Sequence, residues 1–217
     1  PGVVFFRTPC YPVPMSRAHL TGAARRRYAA AALAALLAPA VFGQAAGDFD
    51  GDRRADPAVL QPVNGHWLVR LSGSGYAPLL LPGFLGRPGD TPWIADLDGD
   101  GRADPGVYRR AGGDWLARLS ARRYDVLVLY GFAGGPDWTP VPADFDGDGR
   151  ADPALYRPAD GTWLAGLSAS GYRGLLLERF LGPPPGAPPA AWRPAAADFD
   201  GDRRADAAVV DPAAGAW

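Results

Sequence analysis

The chain has 217 residues, a formal charge of −1 and 47% apolar residues, enough to bury one substantial core or two small ones. Its acids are 22 Asp and one Glu, its 22 bases are all Arg, and 16 of the Asp fall in four short loops, so acidity belongs to sites rather than to the surface at large. This argues against a nucleic-acid binder, because most Arg outside the N-terminal stretch are single or lie within Asp-rich loops that repel a phosphate backbone. The single cysteine, Cys10, excludes an intramolecular disulfide or a zinc site.

Met15 is the only methionine and fits an initiator, which leaves residues 1–14 as an upstream extension without a fold of its own. Residues 15–46 read as a secretory signal peptide. A basic region with Arg17, Arg25, Arg26 and Arg27 is followed by an apolar run from Tyr28 to Phe42 and by the small residues Gly43, Ala45 and Ala46. The run is about 15 residues and contains Pro39, short of the ~20 that span a membrane. The expectation is a secreted or cell-surface protein with no membrane span in the mature chain. The general secretory route is favoured over the twin-arginine route that Arg25-Arg26-Arg27-Tyr28 permits.

From residue 47 to 217 the chain repeats. The loops DFDGDRRAD, DLDGDGRAD, DFDGDGRAD and DFDGDRRAD start at Asp48, Asp96, Asp144 and Asp198, and divide the region into 48–95, 96–143, 144–197 and a partial 198–217. The first two spacings are 48 residues; the third is 54, lengthened by the proline-rich stretch Pro183 to Pro189, read as a surface loop. Eleven residues after each loop comes a tryptophan: Trp67, Trp115, Trp163 and Trp217. Leu-Ser follows at Leu71-Ser72, Leu119-Ser120 and Leu167-Ser168, and then Tyr76, Tyr124 and Tyr172.

In the first repeat, strands are expected at Ala58 to Gln61, at the alternating stretch His66 to Leu71, at Leu79 to Leu81 and at Trp93 to Asp96. A turn is expected at Asn64-Gly65 and breaks at Gly73 and Gly75. No segment beyond the leader offers ten residues of helical periodicity. The expected fold is therefore all-β, with four short antiparallel strands per repeat of about 48 residues. That is the size of a β-propeller blade, and four loops give an incomplete propeller of three to four blades.

Carboxylates at positions 1, 3, 5 and 9 of a tight glycine-containing loop are what a hard, oxygen-seeking cation such as calcium requires, with the carbonyl of position 7 completing the shell. The candidate ligands are Asp48, Asp50, Asp52, Asp56 and the Arg54 carbonyl; Asp96, Asp98, Asp100, Asp104 and the Arg102 carbonyl; Asp144, Asp146, Asp148, Asp152 and the Arg150 carbonyl; and Asp198, Asp200, Asp202, Asp206 and the Arg204 carbonyl. Up to four Ca2+ are expected, one per loop. An EF-hand is excluded: its position-12 Glu is replaced by Val59, Val107, Leu155 and Val209, and Pro57, Pro105 and Pro153 oppose an exiting helix.

These loops resemble those of FG-GAP or VCBS repeats, found in integrin-like β-propellers and in many secreted bacterial proteins, whose mark is Asp-x-Asp-Gly-Asp-Gly-x-x-Asp. The resemblance covers about residues 47 to 217 and implies calcium bound between the first two strands of each four-stranded blade. Two copies depart from it, with Arg53 and Arg203 at position 6 where the others have Gly101 and Gly149. If that position is left-handed, the first and fourth sites are expected to be the weaker pair.

The recurring tryptophans are expected to pack the core, and Trp93, Trp138 and Trp192 to form a further layer at the strand entering each loop. Catalysis finds little support. His66 has Asp114, Thr162 and Ala216 as its equivalents and is read as an exposed polar residue, and Glu178 stands alone. The expected function is a non-catalytic extracellular calcium-binding module for adhesion or for binding a protein or polysaccharide. The alternative is the propeller portion of a secreted polysaccharide-degrading enzyme.

Overall fold

The computed structural model describes residues 3–6, 44–83, 86–132, 134–182 and 192–210. The leader up to residue 43, apart from residues 3–6, the proline-rich insertion and Trp217 lie outside the described residues.

Each repeat builds its own antiparallel meander. In the first, β2 (Gln44–Gly47), β3 (Asp56–Gln61), β4 (His66–Leu71) and β5 (Ala77–Leu81) pair in that order. The second uses β6 (Thr91–Ala95), β7 (Asp104–Arg109), β8 (Asp114–Leu119) and β9 (Asp125–Leu129). Its outer edge carries β1 (Val3–Phe6), paired antiparallel with β9, although no structure was expected of those residues. The third consists of β10 (Thr139–Pro140), β11 (Ala154–Arg157), β12 (Thr162–Leu167) and β13 (Arg173–Leu177), and the fourth of β14 (Arg193–Ala197) and β15 (Asp206–Val210).

The turns follow from backbone chemistry. Gly65, at φ 66°, closes the β3–β4 hairpin, its N–H donating to the Gln61 carbonyl at 2.8 Å. The recurring tyrosines close the next hairpin. Tyr76, Tyr124 and Tyr172 are left-handed at φ 66°, 62° and 65°. Their N–H groups donate to the carbonyls of Leu71, Leu119 and Leu167 at 2.7, 2.8 and 2.8 Å.

Successive sheets pack face to face. Leu60, Trp67 and Val69 of the first sheet form one cluster with Val107, Leu116 and Val126 of the second. On its other face the second sheet places Trp93, Tyr108 and Trp115 against Ala151 and Leu155 of the third repeat. The third sheet places Tyr156 and Trp163 against Val209 of the fourth. Trp67, Trp115 and Trp163 are thus buried core residues, as is Trp93. Full burial of side chains of this size stabilises by about 2–3 kcal/mol each. Their indole Nε1 atoms are buried without a hydrogen-bond partner, which offsets part of that gain.

Neighbouring loops are also joined directly. The N–H of Ala103 donates to the carbonyl of Asp48, that of Ala151 to Asp96 and that of Ala205 to Asp144, each at 2.6 Å. Beside each rung the stem of Arg102, Arg150 or Arg204 lies over Gly51, Gly99 or Gly147 of the preceding loop, where any β-carbon would meet it within 3.0–3.4 Å.

The expected propeller is corrected. Among the described residues the sheets are four small, separate, open antiparallel units, none of them closed or curled, and each shares a core only with its neighbours in sequence. Loop spacing and strand number specify how one repeat is built. The angle at which the next repeat lies on it is set by side chains between the sheets, and these differ from junction to junction. Arg118, 1% exposed, donates to the Pro82 carbonyl of the preceding repeat at 2.7 Å. Its equivalent in the third repeat is Gly166, against which the Phe132 ring packs.

Candidate metal centre

Each loop is wound around its own first aspartate. Asp96 Oδ1 accepts the N–H of Gly99 at 2.7 Å and Oδ2 that of Gly101 at 2.8 Å. Asp48, Asp144 and Asp198 repeat both bonds at 2.6–2.9 Å. Folding five residues this tightly requires left-handed backbone at positions 4 and 6. Position 4 is always glycine, at φ 77–88°. Position 6 is Gly101 and Gly149 at φ 81° and 87°, and Arg53 and Arg203 at φ 65° and 72°.

The last aspartate latches the loop to the sheet. Asp104 is fully buried, its Oδ2 accepting the Leu97 N–H at 2.9 Å and its Oδ1 the Ser120 N–H at 2.7 Å. Asp56 and Asp152 make the same pair of bonds, with Ser72 and Ser168 as the second donors. Asp56, Asp104 and Asp206 are each the first residue of a strand. The loop therefore exits into β-structure and not into an EF-hand helix.

Carboxylate oxygens of positions 1, 3 and 9 converge. In Asp48/Asp50/Asp56, Asp96/Asp98/Asp104, Asp144/Asp146/Asp152 and Asp198/Asp200/Asp206, one oxygen from each residue lies within 4.8 Å of the other two. The position-5 aspartates are not among these triads. Asp52, Asp100 and Asp148 instead accept the hydroxyls of Ser72, Ser120 and Ser168 at 3.0, 3.0 and 2.8 Å and the N–H of Arg54, Arg102 and Arg150 at 2.8–2.9 Å. The serines, which bind positions 5 and 9 at once, are the site residues sequence reasoning missed. The recurring Leu-Ser was the signal that could have revealed them.

Three negative groups this close, in part shielded from water, repel one another. Burial pushes Asp104 up to about 7, and the neighbouring Asp98 adds to it; burial likewise pushes Asp152 up to about 6. Asp98 is also raised, by burial first and then by Asp100 and Asp96. Its Oδ2 accepts the Ala121 N–H at 3.1 Å, whereas its Oδ1 is buried with no hydrogen-bond partner. A donor set of carboxylate oxygens, one of them orphaned, fits a hard divalent cation.

The residues weighed for catalysis lie outside these triads. His66 is half-buried rather than exposed, and its Nδ1 accepts the Gly83 N–H at 2.9 Å. Asp114, its equivalent, accepts the Gly131 N–H at 3.0 Å, so the two positions do one structural job. Glu178 is exposed.

Comparisons with models of protein families, with curated proteins and with solved structures find no match. The chain is an all-β repeat protein whose four Asp-rich loops each bring together three carboxylates able to hold a divalent cation. Among the described residues no helix is long and apolar enough to cross a membrane.

Proposed function

We propose that the four loops bind calcium and that the ions are structural, stiffening a non-catalytic extracellular module that recognises a protein or polysaccharide. The observation that carries this reading is the convergence of three carboxylates in every loop, four times over, with Asp98 Oδ1 left unsatisfied in the second. The loops' resemblance to FG-GAP/VCBS loops supports calcium over other divalent ions. So does the all-oxygen donor set, since softer ions favour sulfur or imidazole. Secretion, as the leader suggests, would place the loops where calcium is abundant.

Charge points the same way. From residue 47 on, all 23 acids remain while five of the 22 Arg drop out, a formal −6; four calcium ions would turn that to +2. Isothermal titration is expected to show up to four calcium sites. Exhaustive chelation is expected to lower the Tm markedly, and added salt to recover part of the loss by screening the carboxylates. An unchanged melt after chelation would refute a structural role. For the module reading, binding without turnover on a glycan array or in a partner pull-down is the supporting result; turnover of a glycan would replace it with an enzyme.

A further inference from the structure

Each rung between neighbouring loops runs from one carboxylate triad to the next. Its upstream end is the carbonyl of Asp48, Asp96 or Asp144, the first member of a triad. Its downstream end is the N–H of Ala103, Ala151 or Ala205, the residue directly before Asp104, Asp152 or Asp206, the last member of the following triad. That N–H shares a peptide group with the carbonyl of Arg102, Arg150 or Arg204, the position-7 oxygen among the candidate ligands. A peptide group is planar, so a plane held at its N–H is held at its C=O as well. The stem of the same arginine lies over the position-4 glycine of the preceding loop. One residue of the downstream loop therefore grips its neighbour with both backbone and side chain.

The three carboxylates of a loop without its ion repel one another. An ion that gathers them fixes the first aspartate, and through the rung it fixes the plane that presents the next loop's position-7 carbonyl. The next ion then meets a loop whose ordering has been met in part by the first, and whose hydrogen bond to its neighbour is polarised at both ends. Charge alone acts in the opposite sense. A filled loop is less negative, and so less attractive to a cation next door, although salt at about 0.15 M screens that effect beyond about 8 Å.

Resting on the calcium reading above, we propose that the loops fill cooperatively, each bound ion raising the affinity of the loops on either side of it through the rung peptide. The coupling passes from neighbour to neighbour and fades with each junction crossed. The module then stiffens over a narrow range of calcium concentration.

The test is a calcium titration of the full chain followed by amide NMR at about 0.15 M salt. Gly51, Gly99, Gly147 and Gly201 each donate to the first aspartate of their own loop at 2.6–2.7 Å, so each N–H reports one site. In Asp98→Asn, which cripples the second loop, the midpoints at Gly51 and Gly147 are expected to move to about fivefold higher calcium or more, and that at Gly201 by less. Coupling is reciprocal, so Asp50→Asn is expected to delay Gly99 in turn, and Gly147 by less; it also carries the test if Asp98→Asn does not fold. Midpoints that stay in place, or move to lower calcium as charge alone requires, overturn the cooperative loading while leaving calcium binding intact. A wild type in which none of the four glycines responds to calcium overturns the calcium reading itself, and the coupling with it.

Discussion

Arg53 and Arg203 hold a backbone conformation that suits glycine, at φ 65° and 72°, and a non-glycine residue there costs roughly 1–2 kcal/mol. The bend is fixed by the loop's own hydrogen bonds, the Arg53 and Arg203 N–H groups donating to Asp48 Oδ2 and Asp198 Oδ2 at 2.6 and 2.9 Å, so the strain is carried by the fold and not by the binding step. Arg53→Gly is therefore expected to raise stability in chemical denaturation. The gain is about 0.5–1 kcal/mol, since the glycine also loosens the unfolded chain. Calcium affinity at that loop is expected to change by less than fivefold. A large gain in affinity without a gain in stability would show that the loop relaxes when empty, and would restore the expectation that the first and fourth sites are the weaker pair.

Asp104 and Asp152 set the pH response of the metal-free protein. Their folded values, about 7 and about 6, lie above the ordinary 3.8. Between those limits the folded chain holds protons that the unfolded chain has released, so stability falls as pH rises through the window. Asp160 does not interfere. Hydrogen bonds from Arg157 lower it to about 2, so its contribution is complete above pH 4 and lost only below. In chelator, the Tm is expected to decline from pH 4 to pH 7 and the slope to flatten in Asp104→Asn. With calcium the dependence is expected to reverse, because protons and the cation compete for the same oxygens. A chelated Tm that climbs through the window would contradict this account.

At the scale of the strand, identical residues meet different fates. His66–Leu71 and Asp114–Leu119 share Trp, Leu, Arg and Leu at matching positions, yet β4 alternates between buried and exposed while β8 is buried almost throughout. Arg70 lies in solvent and Arg118 is interior. The period, the turns and the placing of the strands, with ends off by up to two residues everywhere but His66–Leu71, were legible because each depends on residues close in sequence. So were the carboxylates at positions 1, 3 and 9. What covers a strand was not, because burial depends on whether another sheet lies above it. The same gap led from blade-sized repeats to a propeller that the open sheets contradict. Gly166 tests the point. A β-carbon there would lie 2.2 Å from the Phe132 ring, so Gly166→Ala is expected to destabilise by about 1–3 kcal/mol. Phe132→Ala in the same chain is expected to relieve much of that strain, a coupling that a double-mutant cycle measures.

For the molecule as a whole, stability divides among neighbours. Among the described residues each sheet shares a core only with its sequence neighbours, so the array is close to a one-dimensional chain of units with coupling terms between them. The second sheet, covered on both faces, is expected to be the last to open, and the fourth, which among the described residues has two strands and Val209 as its buried hydrophobic residue, the first.

The short hydrogen bonds from Ala103, Ala151 and Ala205 to the preceding Asp carbonyls make each junction separately observable. A backbone amide trades its proton for deuterium only when its bond opens, so these three alanines act as independent clocks, one per seam. Their protection is expected to be greatest at Ala103 and Ala151 and least at Ala205, with Ala55, which has no such rung among the described residues, exchanging fastest. Equal rates at all four would mean that the seams open together, and that the array behaves as a single cooperative body.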